Sequence, residues 1–568
     1  MTVISWHRQR MLCMVAILCC AGLIAAVIWS SDRGLELTDE AYYLLSAIHP
    51  EQVQLYISAQ HWVLAPLWAI TESLQGFRLT GAALLLGAAV LLALGATRCL
   101  ALLTGTLPAV FTYLGVAAAG GVGALLYVVT IAPSPSYNLL ASAGAYGAAG
   151  CALLAVDQRR KVACGALCAG AGGWLALCLL SKPSSGICVG LTVLALVLCL
   201  QSGRRKWVMI GSGGLGAFGT LGLFVLIQPS VPAVYESLRG GLELFRMVQT
   251  EPVAARLARY IGTVSLSTGQ ALLSFAPAVI LTATLMRYPR LWLAWSMLFL
   301  ALCIIIIGQH YLGGMTRYES IAKAIYALLF LTISLGFRTW ISHPKIRLLF
   351  AGLLILPFSS TIGTGNSLFT QVIVALAPWT ILATLLCHVA SQNAVIRLAQ
   401  VGTTVLLLLV IPVQVITSFT REPYHLNAPL TAQSEVAVVG RLGVLKIDPA
   451  TRQFLTEMET LRTVCAIRPG AFFLGLFNLP GLALVLDAVP PVTPWLNNAD
   501  QAATVLSHWT PDPASQIIFA LTPEVQADPS ALPQVFQPDT QNSTYCGSAI
   551  LPYESKKVDF WLSSDPAD

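Results

Sequence analysis

The chain has 568 residues, 56% of them hydrophobic and 10% charged, with a mean hydropathy of +0.74 and a formal net charge of +6. A soluble domain carries roughly 25% charged residues, so this composition excludes a water-soluble globular protein and makes lipid the solvent. The modest positive charge is spread over loops and points to no nucleic-acid partner.

A helix needs about 20 apolar residues to cross a bilayer core. The first such run, Met11–Ser30, follows His7, Arg8 and Arg10 and lacks a small-x-small cleavage site. It reads as a retained signal-anchor helix. A polar stretch from Ser31 to Ala59 follows, then His61–Ile70, which is apolar but too short to span. Spanning candidates come next: Leu79–Leu103, Leu107–Ile131, Asn138–Val156, Val162–Leu180, Gly186–Leu200 and Trp207–Gln228. The loop Pro229–Gly262 has mixed apolar and charged faces over Val234–Met247, the pattern of an interfacial helix or of an ordinary connecting one. Thr263–Met286, Leu291–Gly308, Ser320–Gly336, Leu348–Ile362, Phe369–Val389 and Leu398–Ile416 complete the apolar runs.

From Thr417 onward prolines and polar residues replace the long runs. Glu435–Ile447 alternates in part like strands, Ala450–Val464 reads as an amphipathic helix and Gln516–Leu521 as a short buried strand. The expected architecture is therefore an all-α polytopic membrane domain over 1–416, with about thirteen spanning helices. A small α/β domain outside the membrane follows over 417–568.

Lys and Arg accumulate in cytoplasmic loops. Here every second loop is basic: Asp157–Lys161, Arg204–Lys206, Arg287–Arg290, Phe337–Arg347 and the one holding Arg397. The reading is a cytoplasmic N-terminus and a C-terminal domain on the outer side, which in a bacterium means the inner membrane and the periplasm. Of the 14 cysteines, only Cys465 and Cys546 fall in the polar C-terminal part, and an oxidising compartment leads us to expect a disulfide between them. The others lie in or beside apolar runs, where they act as small packing residues.

The first outer loop contains Thr38-Asp39-Glu40-Ala41-Tyr42-Tyr43. A carboxylate near the low-dielectric interface can serve as a general base toward a hydroxyl. The same residues also fit a plain helix start, with Thr38 as cap and acids in the first turn. This acidic motif after the first helix resembles that of GT-C glycosyltransferases, in the branch that includes protein O-mannosyltransferases and lipid A aminoarabinose transferases. Gly76-Phe77-Arg78-Leu79 resembles the family's arginine-leucine helix entry, and Leu179-Leu180-Ser181-Lys182-Pro183 its leucine-threonine-lysine-glycine-proline segment. Two departures stand out: His61-Trp62-Val63-Leu64-Ala65-Pro66 occupies the region of the usual His-Pro-Pro, and no glycine follows Lys182.

The resemblance implies a sugar donor carried on polyprenyl phosphate and a lipid, glycan or protein acceptor. It implies a base within the pair Asp39 and Glu40, whose other member would hold the acceptor or a divalent metal. Donor-phosphate contacts would come from Lys182, Arg78 and Arg317; no cofactor is otherwise implied. Lys182 also fits simple snorkelling to headgroups. Arg317 follows Gly313 and Gly314, which permit close backbone approach. The competing function is a transporter or flippase of a lipid-linked glycan. That reading places ionisable residues near the membrane midplane, whereas here they gather at the ends of the runs.

Overall fold

The computed structural model describes all residues except 1–2, 57, 131–133, 229, 249–250, 286–290, 313–317, 341–342, 364, 390–392, 422, 511–514, 524, 526–542 and 564–568. Lipid offers the backbone no hydrogen-bond partners, so the apolar runs close their own bonds as helices. In chain order these are α1 (Val3–Ser30), α2 (Asp39–Ile48), α3 (Gln60–Thr71), α4 (Leu74–Thr104), α5 (Val110–Thr130), α6 (Tyr137–Asp157) and α7 (Lys161–Ser181). Then come α8 (Pro183–Leu200), α9 (Arg205–Leu226), α10 (Val231–Val248), α11 (Val253–Leu285), α12 (Trp292–His310) and α13 (Tyr318–Trp340). The bundle ends with α14 (Pro344–Thr361), α15 (Leu368–Val372), α16 (Ala377–His388) and α17 (Ala394–Thr420). Helices approach closely where small residues meet, as in soluble-poor interfaces generally: a Cβ at Gly172 of α7 or at Gly216 of α9 would run into the other helix's backbone.

Among the described residues, 11 helices are long and apolar enough to cross a membrane, or 12 if Leu368–Ala375 and Ala377–His388, bent by 69°, form one span. The expected count of about thirteen includes α14, whose first turn carries Lys345 and Arg347 and lowers its hydropathy. Two observations make α14 a crossing helix. It runs end to end beside α8: Lys345 Nζ donates to the Leu200 carbonyl at 3.5 Å, and Ser185 Oγ at the other end donates to the Ile362 carbonyl at 3.1 Å. Parity requires it as well once the bent pair is counted as one span. The segment just after α1 pairs with the segment following α17: Gly34 N donates to the Lys446 carbonyl at 2.8 Å, and Lys446 Nζ meets Asp32 Oδ2 at 2.6 Å. The two segments therefore share one face, and the crossings from α1 to α17 are odd in number.

The C-terminal domain contains the hairpin β1 (Glu435–Val438) and β2 (Val444–Ile447), then α18 (Pro449–Val464) and β3 (Phe472–Leu476). It continues through α19 (Pro480–Val485), α20 (Ala499–Ser507), β4 (Ile517–Leu521), β5 (Ser543–Ile550) and β6 (Lys557–Ser563). The sheet order is β3-β4-β6-β5, parallel between β3 and β4 and antiparallel elsewhere. Phe454, Met458, Leu461, Ile518 and Phe560 fill its core. Cys465, at the end of α18, is disulfide-bonded to Cys546 on β5, with Cα atoms 5.6 Å apart. The domain is fused to the bundle by a second apolar cluster, in which Tyr43 and Leu44 of α2 and Phe77 of α4 meet Leu445 and Ile447 of the hairpin.

Two outcomes are expected. Reporters inserted after Thr420 and within residues 31–38 will signal the same side of the membrane, opposite to one at the N-terminus; opposite signals from the first two would break the parity argument. Replacing Cys465 and Cys546 by serine removes a cross-link of sequence separation 81. The chain-entropy model puts the cost at about 4 kcal/mol, to be read as a lowered melting temperature of the purified protein.

Candidate active site

Residues 31–38 leave α1 and turn back into α2, so the first helical residue, Asp39, starts at the membrane edge under the C-terminal domain. The expected cap, Thr38, makes no side-chain capping bond. Glu36 takes that role: its carboxylate accepts from Thr38 N at 2.8 Å and from Glu40 N at 2.5 Å, satisfying amides that a helix start leaves open. Thr38 Oγ1 donates to the same carboxylate, and His425 Nδ1 lies 3.4 Å from it. Burial pulls the His425 imidazole down, but the hydrogen bond and charge of Glu36, with Asp39 behind it, outweigh burial and raise its pKa.

Glu40 and Arg78 turn out to serve each other. They are 1% and 2% exposed. Arg78 Nε donates to Glu40 Oε1 at 2.8 Å and Nη2 to Oε2 at 2.6 Å. Its remaining N–H groups reach the carbonyls of Ser31 (3.1 Å), Arg33 (3.0 Å) and Gly34 (3.0 Å). A guanidinium has five donors, and all are used, so Arg78 has none left for a donor phosphate. Glu40 also accepts from Ser134 Oγ at 2.5 Å. A carboxylate so engaged is neither a free base nor an open metal ligand. Glu40 and Arg78, both expected at the reaction, are thus engaged with each other in this structure.

Asp39 lies one residue, and so about 100° around the helix, from Glu40. It is half-buried, and its Oδ2 accepts from Tyr424 Oη at 2.6 Å. No other hydrogen bond reaches it from the described residues. Aromatic rings frame it. Tyr42 packs edge-on to Tyr43 at 5.3 Å, Tyr43 to Tyr137 at 5.9 Å, and Tyr424 stacks on His425 at 3.8 Å and meets Tyr318 at 6.0 Å. Burial first, then the charge of Asp39, pushes the Tyr424 phenol well above its usual range, so it donates and stays neutral.

Lys182 is the single residue between α7 and α8. Pro183 holds it extended, which breaks the helix there. The side chain does not snorkel: it is 5% exposed, with Nζ donating to Asn138 Oδ1 at 3.1 Å and to the Thr361 carbonyl at 3.0 Å, and lying 5.6 Å from the centre of the Tyr137 ring. No carboxylate pairs with it among the described residues. Lys182 and Asp39 thus approach the tyrosine cluster from two sides, since Tyr43 and Tyr137 are in contact. Arg317 lies outside the described residues; Tyr318, which follows it, touches Tyr424. No group of three or more His, Cys, Asp or Glu able to hold a metal occurs among the described residues. Glu36, Tyr424 and His425 were missed by sequence reasoning, which had no local pattern to single them out.

Removing one member of a buried ion pair costs about 3–5 kcal/mol. Arg78→Met is therefore expected to lower the melting temperature of the detergent-purified protein sharply, and Glu40→Met added to it to restore part of the loss. An Arg78→Met protein as stable as the parent would refute the clamp.

No protein-family model and no curated protein matches the sequence. Among solved structures, the chain is similar to ArnT from Cupriavidus metallidurans in the apo state, at 11% identity over 96% of this chain and 97% of that one, with a TM-score of 0.42. It is similar also to arabinosyltransferase EmbB from Mycobacterium smegmatis, at 15% identity over 71% of this chain and 41% of that one, with a TM-score of 0.32. At such scores neither likeness carries an argument about what this chain does.

Proposed function

We propose that the chain is an integral membrane glycosyltransferase that moves a sugar from a polyprenyl-phosphate carrier to an acceptor hydroxyl, on the face that carries the C-terminal domain. The observation that carries this reading is the pairing of roles around one tyrosine cluster. Asp39 is held through one oxygen by Tyr424, and Lys182 is a buried amine with no carboxylate partner among the described residues. In the proposed step the open oxygen of Asp39 takes the acceptor's proton, the acceptor oxygen bonds to the anomeric carbon, and the bond from that carbon to the phosphate oxygen breaks. The electron pair leaves with the lipid phosphate. A fixed cation in a low-dielectric site favours that developing charge. Lys182 would supply it.

Orientation follows the basic loops. Arg159, Arg160, Lys161, Arg204, Arg205 and Lys206 lie at helix ends opposite the domain, where Arg205 Nη2 donates to the Ala155 carbonyl at 2.9 Å. By the positive-inside rule that face is cytoplasmic, which puts the N-terminus inside and the domain outside, in the periplasm of a bacterial inner membrane. A transporter would need ionisable groups at mid-depth; Asp39, Glu40, Arg78 and Lys182 all sit at the domain end of their helices.

The test is transfer of labelled sugar from a polyprenyl-phosphate carrier in purified membranes. Asp39→Asn is expected to lower turnover about 10²–10⁴-fold. Lys182→Met should reduce use of the phosphate-linked donor while Tyr424→Phe, which frees Asp39, has a smaller effect. Full turnover by both Asp39→Asn and Lys182→Met at normal expression would remove the reading.

A further inference from the structure

One cavity plays no part in the chemistry above. It has a volume of about 540 Å³, within the roughly 300–1,000 Å³ of small-molecule sites. Three separate parts of the chain line it: residues 51–56 with Trp62, Gln228 after α9 with residues 233–243 of α10, and His508 after α20.

The walls are fixed to each other. Leu244 of α10 is buried among Leu476, Val492 and Val505 of the C-terminal domain. Tyr56 N donates to the Ser237 carbonyl at 3.1 Å, and Gln54 N to the Val492 carbonyl at 2.9 Å. Gly240 lets this strand of chain lie close against α10, where any larger side chain would strike Leu55. The cavity is therefore built by the fold and is not a gap between loosely placed loops.

Its lining combines two aromatic rings, Tyr56 and Trp62, with the carboxylates of Glu51, Glu236 and Glu243. None of the three carboxylates has an ion-pair or hydrogen-bond partner among the described residues. The Gln228 amide nitrogen, also in the lining, is buried and unpartnered among those residues. Buried donors are almost always bonded, so an unsatisfied amide beside open carboxylates marks a place for a ligand with many hydroxyls. Ring faces are electron-rich and receive the polarised C–H faces of a sugar ring, while carboxylates accept from its hydroxyls. Arg239 is the one guanidinium in the lining. Even with His508 protonated the cavity stays net negative, which disfavours a phosphorylated ligand.

We infer that this cavity binds an uncharged or amine-bearing oligosaccharide, the sugar part of the acceptor. The inference rests on the transferase reading for the word acceptor, but the binding itself does not depend on Asp39.

The experiment uses the full chain in lipid nanodiscs, with maltotriose, a glucosamine trisaccharide and a maltotriose phosphorylated on a primary hydroxyl as probes, read by isothermal titration. Binding of the first two and not the third is expected. Trp62→Ala should weaken both at least tenfold. Glu236→Ala with Glu243→Ala, on exposed positions that leave the fold intact, should weaken the amine-bearing probe most. If these affinities hold while no sugar transfer is found with any donor, the transferase reading fails and the cavity assignment stands. Tighter binding of the phosphorylated probe, binding unaffected by the cavity variants, or no binding of any probe overturns the assignment.

Discussion

The Arg78 guanidinium sets the geometry of the whole domain-side face. Burying a charged pair costs several kcal/mol per ion unless the geometry is complete and every remaining donor and acceptor is met. Here completeness demands three backbone carbonyls from Ser31, Arg33 and Gly34, a carboxylate from α2 and a hydroxyl from Ser134. The chain leaving α1 is therefore fixed onto the start of α4. That same chain exchanges backbone hydrogen bonds with Lys446 in β2, so the clamp also fixes where the C-terminal domain sits. Adjacent residues on a helix do not share a face. With Glu40 turned into the clamp, Asp39 is turned toward Tyr424.

This explains which parts of the molecule were readable from sequence. Lipid imposes long apolar runs, and those runs, with basic residues at alternate ends, announced the bundle. In the domain, the β1–β2 hairpin, α18 and β4 fall on stretches marked by alternation and amphipathic spacing, whereas β3, β5, β6, α19 and α20 carry no such mark; the disulfide pair followed from being the two cysteines in polar chain. Two places blur the span count: α14, because Lys345 and Arg347 are folded into its first turn, and the bent pair of α15 and α16. The site was less legible. Local rules name Thr38 as the cap of α2, but Glu36 reaches both Thr38 and Glu40 and displaces it. Glu40 and Arg78 are each conspicuous alone, yet nothing local says that they consume each other across 38 residues. Tyr424 is 385 residues from Asp39, in a stretch with no periodicity.

Charges near a membrane are informative by how they are compensated. Glu40 and Arg78 are fully matched and so explain themselves structurally. Lys182 is not matched: an amide oxygen, a carbonyl and the Tyr137 ring solvate its ammonium without neutralising it. Two hydrogen bonds fix the Lys182 amine in place, and no carboxylate pairs with it among the described residues. Asp39, bonded through one oxygen to a neutral phenol, is the acidic counterpart.

Neither half of the chain completes this arrangement alone. The membrane helices and their connections provide Asp39, Lys182 and the tyrosines of α2 and α6. The segment after α17 provides Tyr424 and His425, and the domain's Val492 holds the strand of chain bearing Tyr56. Polar hydrogen bonds across such a junction strengthen as water is excluded. A domain that covers the junction therefore does more than decorate the bundle. By docking Leu244 of α10 into its own apolar cluster, it holds α10 in place as one wall of the cavity. Its disulfide ties α18 to β5 at the edge of the sheet whose other end, β3, shares that apolar cluster. The disulfide, the sheet and this apolar cluster thus form one connected path from α18 to α10.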